Sequence, residues 1–256
     1  MRYPMEDRYR PGMRFAIALG AAGLAAVGIA IATGRFDVEP DPTVRGGDRP
    51  ADVSAGSGGE DGPAVNEIAT LKPRKEVEVF DAPGGDELGT VGPETAFGLP
   101  TALSVAERRG PWLGVETELA GDEPVGWVRY DGSDIRLSTT PWSIDIDLGA
   151  RIIELRRGGR PVNTGPVEVG PGLSEVKAGR YGVSDRVESG ISPIFRAGAL
   201  ALTAVTADLP ADWPAGDRVA IHGQGTGDAV SLEVSDPSIA KLLEQVPLGA
   251  PVYLQR

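Results

Sequence analysis

The C-terminal stretch from Arg218 to Arg256 reads RVAIHGQGTGDAVSLEVSDPSIAKLLEQVPLGAPVYLQR. It contains two extended pieces, a short helix and a closing strand. Val219 to Gly223 and Ala229 to Val234 are rich in β-branched and small residues and read as strands. In the second piece Val230, Leu232 and Val234 fall on one face and Ala229, Ser231 and Glu233 on the other, because strand side chains alternate. The apolar set suits a core, which leaves Ser231 and Glu233 for an open cleft. Asp236-Pro237 predicts a helix start, a capping side chain followed by proline at the first helical position. Ile239, Leu242, Leu243 and Val246 then recur at helical spacing, and Pro247 and Gly249 stop the run before Pro251-Val252-Tyr253-Leu254.

Upstream the same period-two pattern continues. Ile144, Ile146 and Leu148 alternate with Asp145 and Asp147, giving one buried and one wet face. Arg151 to Leu155 can pair back on it, and Gly158-Gly159 turns the chain into Pro161-Val162 and then Val167-Glu168-Val169-Gly170. Further upstream, Val77 and Val79 alternate with Glu76 and Glu78, followed by Pro83-Gly84-Gly85, Trp112 to Val115 and Gly126 to Tyr130. Turn residues separate these pieces at intervals suited to a small β-barrel.

From Phe36 to about Glu67 there is no apolar periodicity, and Pro, Gly, Asp and Ser dominate, the composition of a disordered linker. Phe15 to Thr33 is a run of 19 uncharged residues. As a helix it would span ~28 Å at about 1.5 Å per residue, close to the hydrocarbon thickness of a bilayer. Arg2, Arg8, Arg10 and Arg14 precede it, so the residues after Arg35 belong outside the cell. A transmembrane anchor and a cleaved signal segment, with Ala30-Ile31-Ala32 as a cleavage site, both export the rest of the chain.

Composition narrows the chemistry. A net charge of -12 argues against nucleic-acid phosphates. There is no cysteine, so disulfides, thiolate metal sites and cysteine nucleophiles are excluded. His222 is the single histidine and has no second histidine or cysteine with which to hold a metal. No cofactor is expected.

Two resemblances follow from these residues. Val77-x-Val79-x-x-x-Pro83-Gly84, then Gly110-x-Trp112-x-x-Val115, then Gly126-Trp127-Val128 resemble, in that order, a bacterial SH3-like domain over residues 68–137. Trp112 and Trp127 are its candidate groove residues, or else barrel core. The meander ending in Val167-x-Val169-Gly170, the Ile221-His222-Gly223 strand and the final helix before Val246-Pro247-x-Gly249-x-x-Val252 resemble the L,D-transpeptidase catalytic domain over residues 138–256. Together with the apolar run and the linker, the resemblances imply a mainly β chain: a 1–14 cytoplasmic tail, an N-terminal transmembrane helix or signal at 15–33, a 34–67 linker, a small SH3-like barrel, and an L,D-transpeptidase-like β-sandwich with a short C-terminal helix.

That family cross-links peptidoglycan stem peptides through a cysteine thioester with a histidine base. Laid on its Ser-x-Gly-Cys-x-Arg motif, with Asp236 taken as the helix cap, the cysteine position falls on Ser231. The arginine falls on Glu233, the glycine on Val230 and the serine on Asp228, while the histidine and its following glycine are retained as His222 and Gly223. The segment between His222 and Ser231 is shorter than in active members, and a Thr-Pro-x-Gly turn is replaced by Val176-Lys177-Ala178-Gly179. The resemblance thus implies a degenerate site. One reading is a non-catalytic module that binds peptidoglycan stem peptides or a cell-wall synthesis protein. A second is an acyl transferase using Ser231 or another non-cysteine nucleophile, and a third is a pair of spacers.

Overall fold

The computed structural model describes residues 65–121, 125–190, 193–206, 209, 213–224 and 231–256. The apolar run 15–33 and its flanks lie outside the described residues; among the described residues no helix is long and apolar enough to cross a membrane.

The alternating N-terminal pieces form a seven-stranded sheet of β1 (Asn66–Leu71), β2 (Val77–Phe80), β3 (Glu87–Val91), β4 (Ala102–Arg109), β5 (Trp112–Val115), β6 (Gly126–Arg129) and β7 (Ile135–Thr140). Its order is β3-β2-β6-β5-β4-β1-β7. The barrel expected from the sequence is therefore open in its hydrogen bonding, with β3 and β7 at the two ends. Pro93 and Pro100 flank the excursion after β3 and donate no N–H to a ladder. The inner face is apolar: Ala69, Leu71, Val79, Leu103, Leu113, Val115, Val128 and Ile135 pack together. β1 begins at Asn66, inside the stretch read as linker, because β7 extends to Thr140 and pairs with it residue for residue (Asn66 with Thr140, Glu67 with Thr139).

The second sheet has nine strands: β8 (Trp142–Asp147), β9 (Ile152–Arg157), β10 (Arg160–Pro166), β11 (Glu168–Val169), β12 (Gly179–Val187), β13 (Ala199–Val205), β14 (Arg218–His222), β15 (Leu232–Glu233) and β16 (Pro251–Gln255). Its order is β10-β9-β8-β16-β12-β13-β14-β15-β11. Gly158 and Gly159 both have positive φ, as the two-residue turn between β9 and β10 requires. β12 is the pivot. Its first four residues pair with β16, its last five face β13, and the register shifts between Val183 and Asp185. Side chains from both halves meet in one core, with Ile144, Ile146 and Leu155 from one and Leu200, Leu202, Ile221 and Leu232 from the other.

Helix α1 (Asp236–Gln245) seals that core with Ile239 and Leu242. Its N-cap is Ser235, whose hydroxyl accepts the Ser238 N–H at 3.3 Å, rather than Asp236. Asp236 occupies the first turn, where its negative charge suits the helix N-terminus, and its carboxylate is occupied elsewhere.

Candidate functional site

The β14–β15 edge of the second sheet carries the residues singled out from the sequence. The two strands run parallel, with Ile221 opposite Leu232 and His222 opposite Glu233. The Val234 N–H donates to the His222 carbonyl at 2.9 Å, which fixes the chain direction just before α1. Val230 and Ala229 lie outside the described residues. The strand read over Ala229 to Val234 is seen as Leu232–Glu233.

Ser231 is not in a cleft. It is fully buried, and its hydroxyl oxygen accepts the Ala220 N–H at 3.0 Å. Its carbonyl accepts the Gly170 N–H at 2.7 Å, so β11 closes over it from the other side. Leu232 and Val234 are buried as expected, but so is Ser231, and only Glu233 reaches partial exposure. Alternation fails here because this short strand is covered on both faces. A hydroxyl held against a backbone amide in a dry core is an acceptor, not a presented nucleophile.

His222 is 3% exposed and stands among aromatic rings. The Phe195 ring centroid lies at 5.9 Å and that of Trp213 at 5.6 Å, with Trp213 turned edge-on. Trp213 is itself pinned by its indole N–H, which donates to the Arg218 carbonyl at 3.0 Å. Nδ1 of His222 lies 2.8 Å from the Gly223 carbonyl. Since a carbonyl only accepts, Nδ1 carries the proton and Nε2 is the acceptor nitrogen. Nε2 is buried without a hydrogen-bond partner. Burial pushes the imidazole below its ordinary pKa; the Gly223 carbonyl and the Glu233 charge oppose this but do not overcome it. The tautomer is that of a base, yet the ring is walled in.

Gly223 has a packing reason of its own. A Cβ there would come within 2.6 Å of the Ala197 Cβ, 2.7 Å of the Asp236 Oδ1 and 3.0 Å of the Ile239 Cγ2. The Asp236 Oδ1 also accepts the Gln224 N–H at 2.9 Å. The first turn of α1 is thus buttoned to the end of β14, and the glycine lets the two approach. No sequence pattern pointed to Phe195 or Trp213; both come from irregular segments with no periodicity to flag them.

Trp127 is buried, with the Arg109 guanidinium 4.5 Å above its ring. Trp112 is half-buried and meets Phe80 edge-on at 5.4 Å. Neither lines the cavities of about 430 and 630 Å³ that lie between the sheets. Among the described residues no three His, Asp or Glu side chains converge as a metal site would require.

No family model and no curated protein matches the chain. Solved structures similar to it include Bd1075 of Bdellovibrio bacteriovorus, 18% identical over 44% of this chain and 47% of that one, with a TM-score of 0.35. L,D-transpeptidase 1 of Mycobacterium tuberculosis is 15% identical over 52% of this chain and 78% of that one, with a TM-score of 0.33. An L,D-transpeptidase of Stackebrandtia nassauensis is 12% identical over 46% and 56%, with a TM-score of 0.35. The chain spans about half the length of Bd1075 and of the Stackebrandtia protein.

Proposed function

We propose that this chain is a cell-envelope protein that associates with peptidoglycan, through its stem peptides or a wall-synthesis partner, without performing acyl transfer. The single observation that carries the non-catalytic reading is the burial of Ser231. The residue at the position of the family's nucleophile has its hydroxyl oxygen engaged by the Ala220 amide and has no exposed surface. The absence of any cysteine removes the alternative thiol. Association with peptidoglycan is supported by the order of motifs in residues 68–256 that resembles an SH3-like domain followed by a transpeptidase-like one. Export of both is supported by the apolar 15–33 segment, read as an anchor or a signal, and the arginines before it.

Retention of the full chain on purified peptidoglycan sacculi tests this reading. Specific retention, competed by soluble stem peptides, is expected. Passage through without retention, or formation of tetrapeptide cross-links by the purified protein, would overturn it.

A further inference from the structure

The side chain of Arg180, near the start of β12, reaches out of its own sheet into the other. Its guanidinium donates to Glu116 Oε1 at 2.8 Å, to the Ser104 hydroxyl at 2.9 Å and to the Val105 carbonyl at 2.9 Å. Glu116 follows β5, and its own N–H donates to the Ser104 carbonyl at 2.9 Å, which fixes where its side chain starts. Two residues along β12, Gly182 lets the backbones approach: a Cβ there would lie 3.1 Å from the Ser104 Cβ and 3.5 Å from the Glu116 Cβ. The Glu116 carboxylate is thus held in place and taken out of water, with its side chain 4% exposed.

One of its two oxygens is engaged. Oε1 accepts from Arg180, and among the described residues no donor reaches Oε2. Buried carboxylate oxygens ordinarily have partners, since each can accept two hydrogen bonds. Glu116 is part of the wall of the cavity of about 630 Å³, so Oε2 is available to whatever enters there.

The rest of the wall narrows the chemistry of an occupant. Its charged groups among the described residues are Glu107, Glu116 and Glu175, against Lys177 and Arg180. An anion would meet three carboxylates, and the guanidinium that would attract it already serves three acceptors. A bare metal ion is no better matched: no three acidic side chains converge among the described residues, and Val125, Val176 and Val205 stand in the wall. An organic cation suits both features, a charged end for Oε2 and a carbon chain for the valines. The volume falls within the range of small-molecule sites.

We propose that this cavity is a binding site for a small aliphatic ammonium compound, whose N–H donates to Glu116 Oε2 while its carbon chain lies against Val125, Val176 and Val205. Glu116 then bridges two cations, Arg180 and the ligand, through charge-assisted bonds, which are the short and strong ones. A single positive charge also balances three carboxylates against two cations. Burial pushes the Glu116 pKa up to about 7, because the guanidinium opposes the loss of water without cancelling it. A second cation at Oε2 favours the ionised carboxylate and draws that value back down. The site does not depend on whether the chain associates with peptidoglycan.

Titration of the full chain in a non-ionic detergent with n-butylammonium at pH 8, followed by amide chemical shifts, tests the site. Saturable shifts are expected at Ala178, Gly179 and Thr203 in the wall. Neutral n-butanol should bind about 10-fold more weakly or worse, and Glu116→Gln should weaken n-butylammonium by a similar factor, the scale of one hydrogen bond to a charged group. Glu118→Gln, which removes a carboxylate lining the other cavity, should leave the affinity unchanged. No saturable shift at these amides, equal binding of the alcohol, or undiminished affinity in Glu116→Gln would overturn the proposal. Should that variant not fold, carbon-detected titration of the wild-type Glu116 carboxyl decides. Its midpoint falls when n-butylammonium is added if the site exists, and an unmoved midpoint refutes it.

Discussion

At the scale of single residues, the burial of Ser231 governs what a thiol there could do. Ser231→Cys exchanges a hydroxyl acceptor for a weak sulfur one against the Ala220 N–H. That change costs about 1 kcal/mol of stability, the usual scale for one buried hydrogen bond. It leaves the new thiol without solvent access. The variant is expected to be folded, slightly lowered in urea midpoint, and free of a carbapenem adduct by intact mass. A stoichiometric adduct on that cysteine would mean the strand opens to solvent. His222 gives a pH prediction. Its folded pKa is depressed, so the unfolded chain binds its proton first as pH falls through the ordinary value near 6.5. Stability contributed by the neutral ring is present above that value and declines below it. Urea midpoints measured from pH 8 to pH 5 should show this decline, and it should vanish in His222→Phe, whose ring stays apolar beside Phe195 and Trp213.

At the scale of elements, the join between β14 and α1 is the most exacting local feature. Gly223→Ala forces a methyl against Ala197, Asp236 and Ile239. Overpacking of this kind typically costs 1–3 kcal/mol, so about that loss is expected by chemical denaturation. The cap is a milder case. Ser235→Ala removes the hydroxyl that accepts the Ser238 N–H and faces the Ser238 hydroxyl at 2.8 Å. About 1 kcal/mol should be lost, and a comparable loss from Asp236→Ala would come instead from freeing the Gln224 amide. Helix α1 itself was legible: the apolar spacing of Ile239 and Leu242 named its buried face. The cap was read one residue late, because Ser235 and Asp236 are both good caps in sequence and only backbone geometry distinguishes them.

At the scale of the whole molecule, the proposed orientation places residues 68–256 outside the membrane. Protease added to intact protoplasts should digest them, and full protection would contradict export.

The sequence by itself determined the chemistry that is missing and the class of the fold. No cysteine means no thioester, whatever the tertiary structure. Period-two alternation in β2 and β8 marked strands whose one face must be buried, since a half-buried strand carries that signal locally. What only the tertiary structure decided was the fate of groups covered from more than one side. Alternation points Ser231 towards a cleft, but its hydroxyl lies against Ala220, part of an apolar cluster with Phe195 and Trp213, so that face is buried as well. The aromatic walls of His222 come from segments without periodicity. Glu116 and Arg180, whose side chains meet between the two sheets, stand 64 residues apart. Their pairing depends on how two independently patterned sheets dock, and the local pattern of neither sheet records it.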